Sequence, residues 1–189
     1  GDLIEWRAAQ FGGKVVSVDP VKKIVVTEDE EVQADVLNYI PNQKASQLAF
    51  DSGLVADGKD WCDIHPKTFE SKLVKNVHVI GDASNAAPMP KSAFSASTQG
   101  KVVALQIARV LKQQEPLNPP KLANTCYSLL SPNYGISIAA VYNALDDKIQ
   151  NVDGAGGVSP ETDPDGHIRI LEAKYAYAWY ESQTADIFK

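Results

Sequence analysis

Long apolar runs are missing from this sequence. None approaches the ~20 residues that a membrane-spanning helix needs, and the longest helical segment carries Lys101, Gln106, Arg109 and Lys112, so no membrane span is expected. Basic charge is scarce as well. Eighteen Lys and Arg against 24 Asp and Glu leave a net charge of −6 with no basic stripe to neutralise phosphates, which excludes a nucleic-acid binder. Two cysteines, Cys62 and Cys126, are too few for a disulfide framework and lack the paired spacing of a zinc site. His65, His78 and His167 lie far apart with no ligand spacing, so no metal site is expected. No initial Met, basic n-region or apolar h-region opens the chain, no export signal is visible, and both ends are expected to be cut from a longer polypeptide.

What is present suffices for a folded α/β chain. Of 189 residues 44% are hydrophobic, enough to bury a core. The segment "GGKVVSVDPVKKIVVTEDEEVQADVLNYIP" alternates in the strand manner, which predicts a hairpin bent at Asp19-Pro20 and a further strand over Val36 to Ile40. The acidic run "TEDEEVQAD" reads as a solvated hairpin end. Ala45, Leu48 and Ala49 recur at helical spacing before Gly53, a suitable C-terminal cap. A strand over Val77 to Ile80 runs into Gly81-Asp82. After a Pro-rich loop, a helix starts near Ser92 or Ser95, with Ala96, Val103, Ile107 and Val110 or Leu111 along its apolar side. Three prolines in "QQEPLNPPKLANT" mark a boundary. "CYSLLSPNYGISIAAVYNA" predicts a second hairpin turning at Ser131-Pro132-Asn133, "NVDGAGGVSPETDPDGH" a long glycine-rich loop, and the aromatic tail a helix from about Glu172.

The segment needing explanation is "VHVIGDASNAAPMPKSAFS". In open α/β sheets ligands sit beyond the carboxyl ends of strands, where glycine permits close approach and the next helix points its positive end at the site. Asp82 there is a fixed acceptor for a hydroxyl, but an aspartate after glycine serves equally as a turn or capping residue. Lys91, Ser92 and Ala93 open the long helix, where backbone N–H groups can meet a cofactor or Ser92 can simply cap. Cys126 is either an accessible reactive sulfur or a buried strand cysteine. Trp179, with Tyr175, Tyr177 and Tyr180, can line a cofactor or form core and interface. Cys62 reads as a structural or free thiol, and His78 as a packed, hydrogen-bonded residue.

Wider strings decide among these. "VHVIGDAS" is similar to the second flavin motif of the two-dinucleotide-binding-domain flavoproteins. Together with "DIHPKTFESKLVKNVHVIGDASNAAPMPKSAFSASTQGKVVA", "LANTCYSLLSPNYGISIAAVY" and "YAWYESQTADIF", it resembles the flavoprotein subunit of flavocytochrome c sulfide dehydrogenase from about Val15 onward. The resemblance implies the C-terminal half of a disulfide-reductase-like flavoprotein plus an α+β interface region. Residues 1–65 would end the second, pyridine-nucleotide-like domain, 66–115 would be the returning segment of the FAD-binding domain, and 116–189 the C-terminal interface domain. It implies FAD, with Gly81, Asp82, Lys91, Ser92 and Ala93 as cofactor-binding positions. Cys126 would be the C-terminal member of a redox-active disulfide and Trp179 an aromatic beside the flavin. The other cysteine, the covalent FAD anchor and the first glycine-rich loop would lie in an N-terminal half outside this sequence. The implied activity is oxidation of sulfide to sulfur in the periplasm, with electrons passed to a c-type cytochrome subunit. Without its other half the chain is expected to be inactive and able to self-associate. The competing readings are a sulfide:quinone relative and a non-catalytic docking or dimerisation module.

Overall fold

The computed structural model describes residues 3–188. The chain is mixed α/β, with two three-stranded antiparallel sheets, and separates into two compact units meeting between Asn42 and Gln43.

The first unit is a meander of β1 (Val15–Asp19), β2 (Ile24–Thr27) and β3 (Glu31–Gln33). The expected bend forms because the Asp19 carboxylate accepts from the N–H groups of Val21 at 3.0 Å and Lys22 at 2.9 Å, the side chain replacing backbone partners that the turn removes. Val18 then faces Val25, and Val25 faces Val32. The acidic run is therefore more than a solvated end. It holds a tight turn, closed by Thr27 N–H to Glu30 C=O at 2.8 Å, and then β3 itself. The strand expected over Val36 to Ile40 does not form, because pairing along β2 ends where Ala34 N–H meets Lys23 C=O. No described residue of this unit is buried.

The second unit begins with α1 (Gln47–Asp51), followed by Gly53 at φ +67°, the left-handed position that glycine occupies without steric penalty. From there to residue 92 the backbone is irregular, held by isolated bridges. The strand expected over Val77 to Ile80 is reduced to a local pairing: Ser71 N–H donates to Val77 C=O, Val79 N–H to Phe69 C=O, and Glu70 bridges His78. No neighbouring strand extends it. Phe69, at the open end of that pairing, is fully buried.

α2 (Ala93–Leu111) starts at Ser92, whose Oγ accepts from Ser95 N–H at 3.1 Å. Its buried face differs from the expected one. Ser95, Gln99, Val103 and Gln106 point inward, whereas Ile107, Val110 and Leu111 are exposed. Val103 is buried as expected, and hydrogen bonding explains the shift of the rest, because irregular backbone beside the helix has buried amides that no ladder satisfies. Gln99 Oε1 accepts from Gly81 N–H at 2.7 Å. Gln106 accepts from Leu117 N–H at 2.9 Å and donates to the carbonyls of Lys67 and Leu117.

Beyond the proline-rich connection, β4 (Lys121–Ser131), β5 (Tyr134–Ala144) and β6 (Ile149–Val158) form the second meander. The second hairpin is thus present, but β6 occupies the first half of the segment expected as a glycine-rich loop, up to Val158. Gly156 admits β6 there, since a Cβ would lie 2.9 Å from the Cα of Ala140. α3 (His167–Phe188) starts five residues before the expected position and packs on β5 and β4. Gly135 allows the approach, since a Cβ at that position would come within 2.6 Å of Ala173 N. Cys62, Ile64, Phe69, Val79, Met89, Val103, Leu122, Tyr142 and Ile149 share one core, joining the irregular segment to α2 and the sheet.

A buried ionic cluster fastens α3. Glu172 Oε1 accepts from Ser137 Oγ of β5 at 2.8 Å and from Ser159 Oγ at 2.6 Å, while Oε2 faces Arg169 Nη1 at 3.2 Å. Arg169 also donates to Pro160 C=O. Removing one charge from such a cluster leaves the other buried without a counter-ion, which is worse than removing both. Glu172→Gln is therefore expected to lower the melting temperature by roughly 5 °C, and the Arg169→Met/Glu172→Met double variant to recover part of that loss, both measured by thermal circular dichroism.

Candidate functional site

The predicted site residues fall into two adjoining groups, both in contact with the first half of α2. The first is the turn Gly81–Ala83, in which Gly81 has φ +65°. It is held on several sides. Gly81 N–H is bound by Gln99, Ser84 Oγ donates to Gly81 C=O at 2.8 Å, and Cys62 N–H donates to Ala83 C=O at 2.9 Å. Lys91 reaches back across the turn, its Nζ donating to the carbonyls of Asp82 at 2.6 Å and Ser84 at 2.9 Å while lying 3.7 Å from the centre of the Trp61 ring. Burial pulls the Lys91 ammonium below its ordinary value, and the Asp82 carboxylate opposes that pull. Lys91 thus holds the turn through backbone oxygens. The Asp82 side chain is exposed and, among the described residues, no group donates to its carboxylate. A rigid turn therefore presents an open acceptor.

The second group surrounds a cavity of about 340 Å³ lined by Ser92, Ala93, Phe94, Thr125, Cys126 and Trp179 among others. Four of the predicted positions, Ser92, Ala93, Cys126 and Trp179, come together here from α2, β4 and α3. Trp179 stacks on Phe94 with ring centres 5.4 Å apart and planes at 14°, fixing the angle of one wall. Cys126 is half-buried and lines two further cavities: about 400 Å³ beside Pro88 and Pro90, and about 320 Å³ beside Glu161 and Arg169. The residue thus borders three cavities.

Asn124 belongs to this site and was not predicted. Its Oδ1 accepts from Ser92 Oγ at 2.5 Å and Ser95 Oγ at 3.0 Å, and its Nδ2 donates to Cys126 Sγ at 3.3 Å. The period of two along a strand puts residues 124 and 126 on one face, so "NTC" carried the signal. The Phe94–Trp179 stack spans 85 positions and left none in the sequence.

Cys62 contrasts with Cys126. It is free and fully buried in the core, and burial, then the nearby Asp63 carboxylate, push its thiol up from the ordinary value. Thiolate is the reactive form, so the native reduced chain is expected to titrate about one equivalent of a disulfide reagent at pH 8, from Cys126, and two after denaturation; a native count of two would place Cys62 in contact with solvent. Among the described residues, no group of three His, Cys, Asp or Glu side chains is placed to hold a metal ion, and no helix is long and apolar enough to cross a membrane.

Residues 118–188 match the family model described as flavocytochrome c sulphide dehydrogenase, flavin-binding. The match covers β4, β5, β6 and α3 and contains Asn124, Cys126 and Trp179. The turn at Gly81 and the start of α2 lie outside it. The site suits a flavin: a half-buried sulfur and a fixed aromatic wall border cavities at the positive end of a 19-residue helix, and the open Asp82 carboxylate suits a hydroxylated chain. From β4 to the end of α3, this chain is similar to the flavocytochrome c sulphide dehydrogenase flavin-binding family.

Proposed function

We propose that this chain is the C-terminal part of the FAD-dependent subunit of a sulfide dehydrogenase that oxidises sulfide to sulfur and passes electrons to a c-type cytochrome in the periplasm. The observation that carries the reading is the convergence of Ser92, Ala93, Cys126 and Trp179 on one cavity bordered by the family-matched segment. The proposed organisation has residues 1–65 ending a pyridine-nucleotide-like domain, 66–115 returning to the FAD domain, and 116–189 completing the cofactor site and the interface. The other half of that two-domain flavoprotein would supply the glycine-rich phosphate loop, the covalent cofactor anchor and the second cysteine.

In this reading a bound flavin supplies a two-electron acceptor that can be reoxidised one electron at a time. The chain's residues do the rest. Cys126 contributes one sulfur of a disulfide; hydrosulfide attacks a sulfur of that bond, a new S–S bond forms, and the electron pair of the old one leaves on the other cysteine as thiolate. Ser92 and Ala93 present backbone N–H groups at the positive end of α2, where negative charge is favoured. Asp82 accepts from a hydroxyl and Lys91 keeps its turn in place. Trp179, fixed by Phe94, screens the sulfur from water.

Replacing Cys126 with Ser in the complete enzyme is expected to lower sulfide-dependent cytochrome reduction by roughly 100-fold or more while the bound flavin spectrum persists. Unchanged turnover would overturn the reading.

A specific observation also supports the docking reading for the chain on its own. Ile107, Val110 and Leu111 are exposed along α2, as are Leu3, Ile4, Trp6 and Phe11 in the first unit. Exposed apolar surface on this scale favours association. The isolated chain is expected to elute from gel filtration above its monomer mass of 20.5 kDa; a clean monomer with no affinity for the complementary half would count against it.

A further inference from the structure

We infer that Asn124 is a positioning residue that holds and stabilises the Cys126 sulfur in its anionic form. The inference rests on the proposed role of Cys126 and deepens it. Asn124 is 3% exposed, so its carboxamide must find all its partners inside the protein. Ser92 Oγ already accepts from Ser95 N–H, which leaves its proton for Asn124 Oδ1 at 2.5 Å, and Ser95 Oγ gives a second proton to the same oxygen at 3.0 Å. With two hydroxyls on the oxygen, the amide nitrogen faces Cys126 Sγ at 3.3 Å. The sulfur chemistry requires the same orientation. Neither a thiolate nor a disulfide sulfur carries a proton, so the amide can bond it only through its N–H end.

The arrangement joins the first turn of α2 to the sulfur through one side chain. A neutral donor with its far end clamped by two hydroxyls cannot rotate away when charge develops on Sγ, and a hydrogen bond to the charged form favours that form. Thr98 keeps the distance constant, its Oγ1 donating to Ala123 C=O at 2.9 Å and so fastening α2 to β4 beside Asn124. The titratable groups around Cys126 are Tyr127 on its own strand, Tyr142 on β5, Glu161 and Arg169 on one cavity wall, and Tyr180 on α3. Among the described residues, none of these hydrogen-bonds to Sγ; the one donor is Asn124.

The test is the rate of alkylation of Cys126 by iodoacetamide across pH 6 to 10 in the full, reduced chain, read by mass spectrometry of the peptide that contains it. Asn124→Asp keeps an acceptor for both serines but turns a negative oxygen toward the sulfur; its profile is expected to move up by about one pH unit, with roughly tenfold slower reaction at neutral pH. Asn124→Ala adds no buried charge and covers the case in which the aspartate does not fold. Its profile is expected to move the same way, with reaction slowed about threefold. Profiles that superimpose on the parent in a variant with native circular dichroism would overturn the inference and leave Asn124 a purely structural link. Sulfide turnover does not enter this readout, so its outcome is independent of the Cys126→Ser experiment.

Discussion

Buried amides outside a helix or a ladder must be satisfied by side chains, and in the second unit α2 carries the side chains that do so. Gln99 takes the Gly81 amide, Gln106 takes Leu117 and gives to Lys67, and the serines at the helix start give to Asn124. The segment from residue 54 to 92 has almost no regular structure, yet it contributes Cys62, Ile64, Phe69, Val79 and Met89 to the core. It can lie against α2 because each polar group there has somewhere to go. Apolar residues at those helix positions would bury area and orphan the loop.

The same constraint shapes the site. A turn that presents Asp82 outward needs its own backbone held, and Gln99, Ser84 and Lys91 each hold part of it. Lys91 therefore acts through carbonyl oxygens and the Trp61 face, with its charge turned inward. Cys126 is positioned by comparable means, since the helix that caps at Ser92 also clamps the amide facing the sulfur. Both groups of site residues depend on the register of one helix, and the ionic cluster at Glu172 sets where α3 brings Trp179 over that helix.

Short-range chemistry made several elements readable from the residues. Asp19-Pro20 bends the first hairpin through the aspartate's own carboxylate, Ser92 caps α2, and Ser131 to Asn133 turns β4 into β5. Readings failed where a distant partner decides. Val77 to Ile80 has strand composition but only a short local pairing with Phe69 to Ser71, and Val36 to Ile40 lies beyond the end of its ladder. The glycines of β6 suggested a loop, while Gly156 is there so that backbone can meet backbone.

The sequence by itself offered the candidate groups, a sulfur in "NTCYS", an acceptor in "VHVIGDAS" and a ring in the aromatic tail, and capping and turn residues fix the local chain paths because their partners lie within a few positions. Tertiary structure alone decided which of them meet. Asn124 finds Ser92 across 32 positions, Phe94 finds Trp179 across 85, and α2 buries its glutamines and leaves Val110 and Leu111 outside. Periodicity records how apolar a helix face is, but the hydrogen bonds demanded by the backbone packed against it determine which face turns inward.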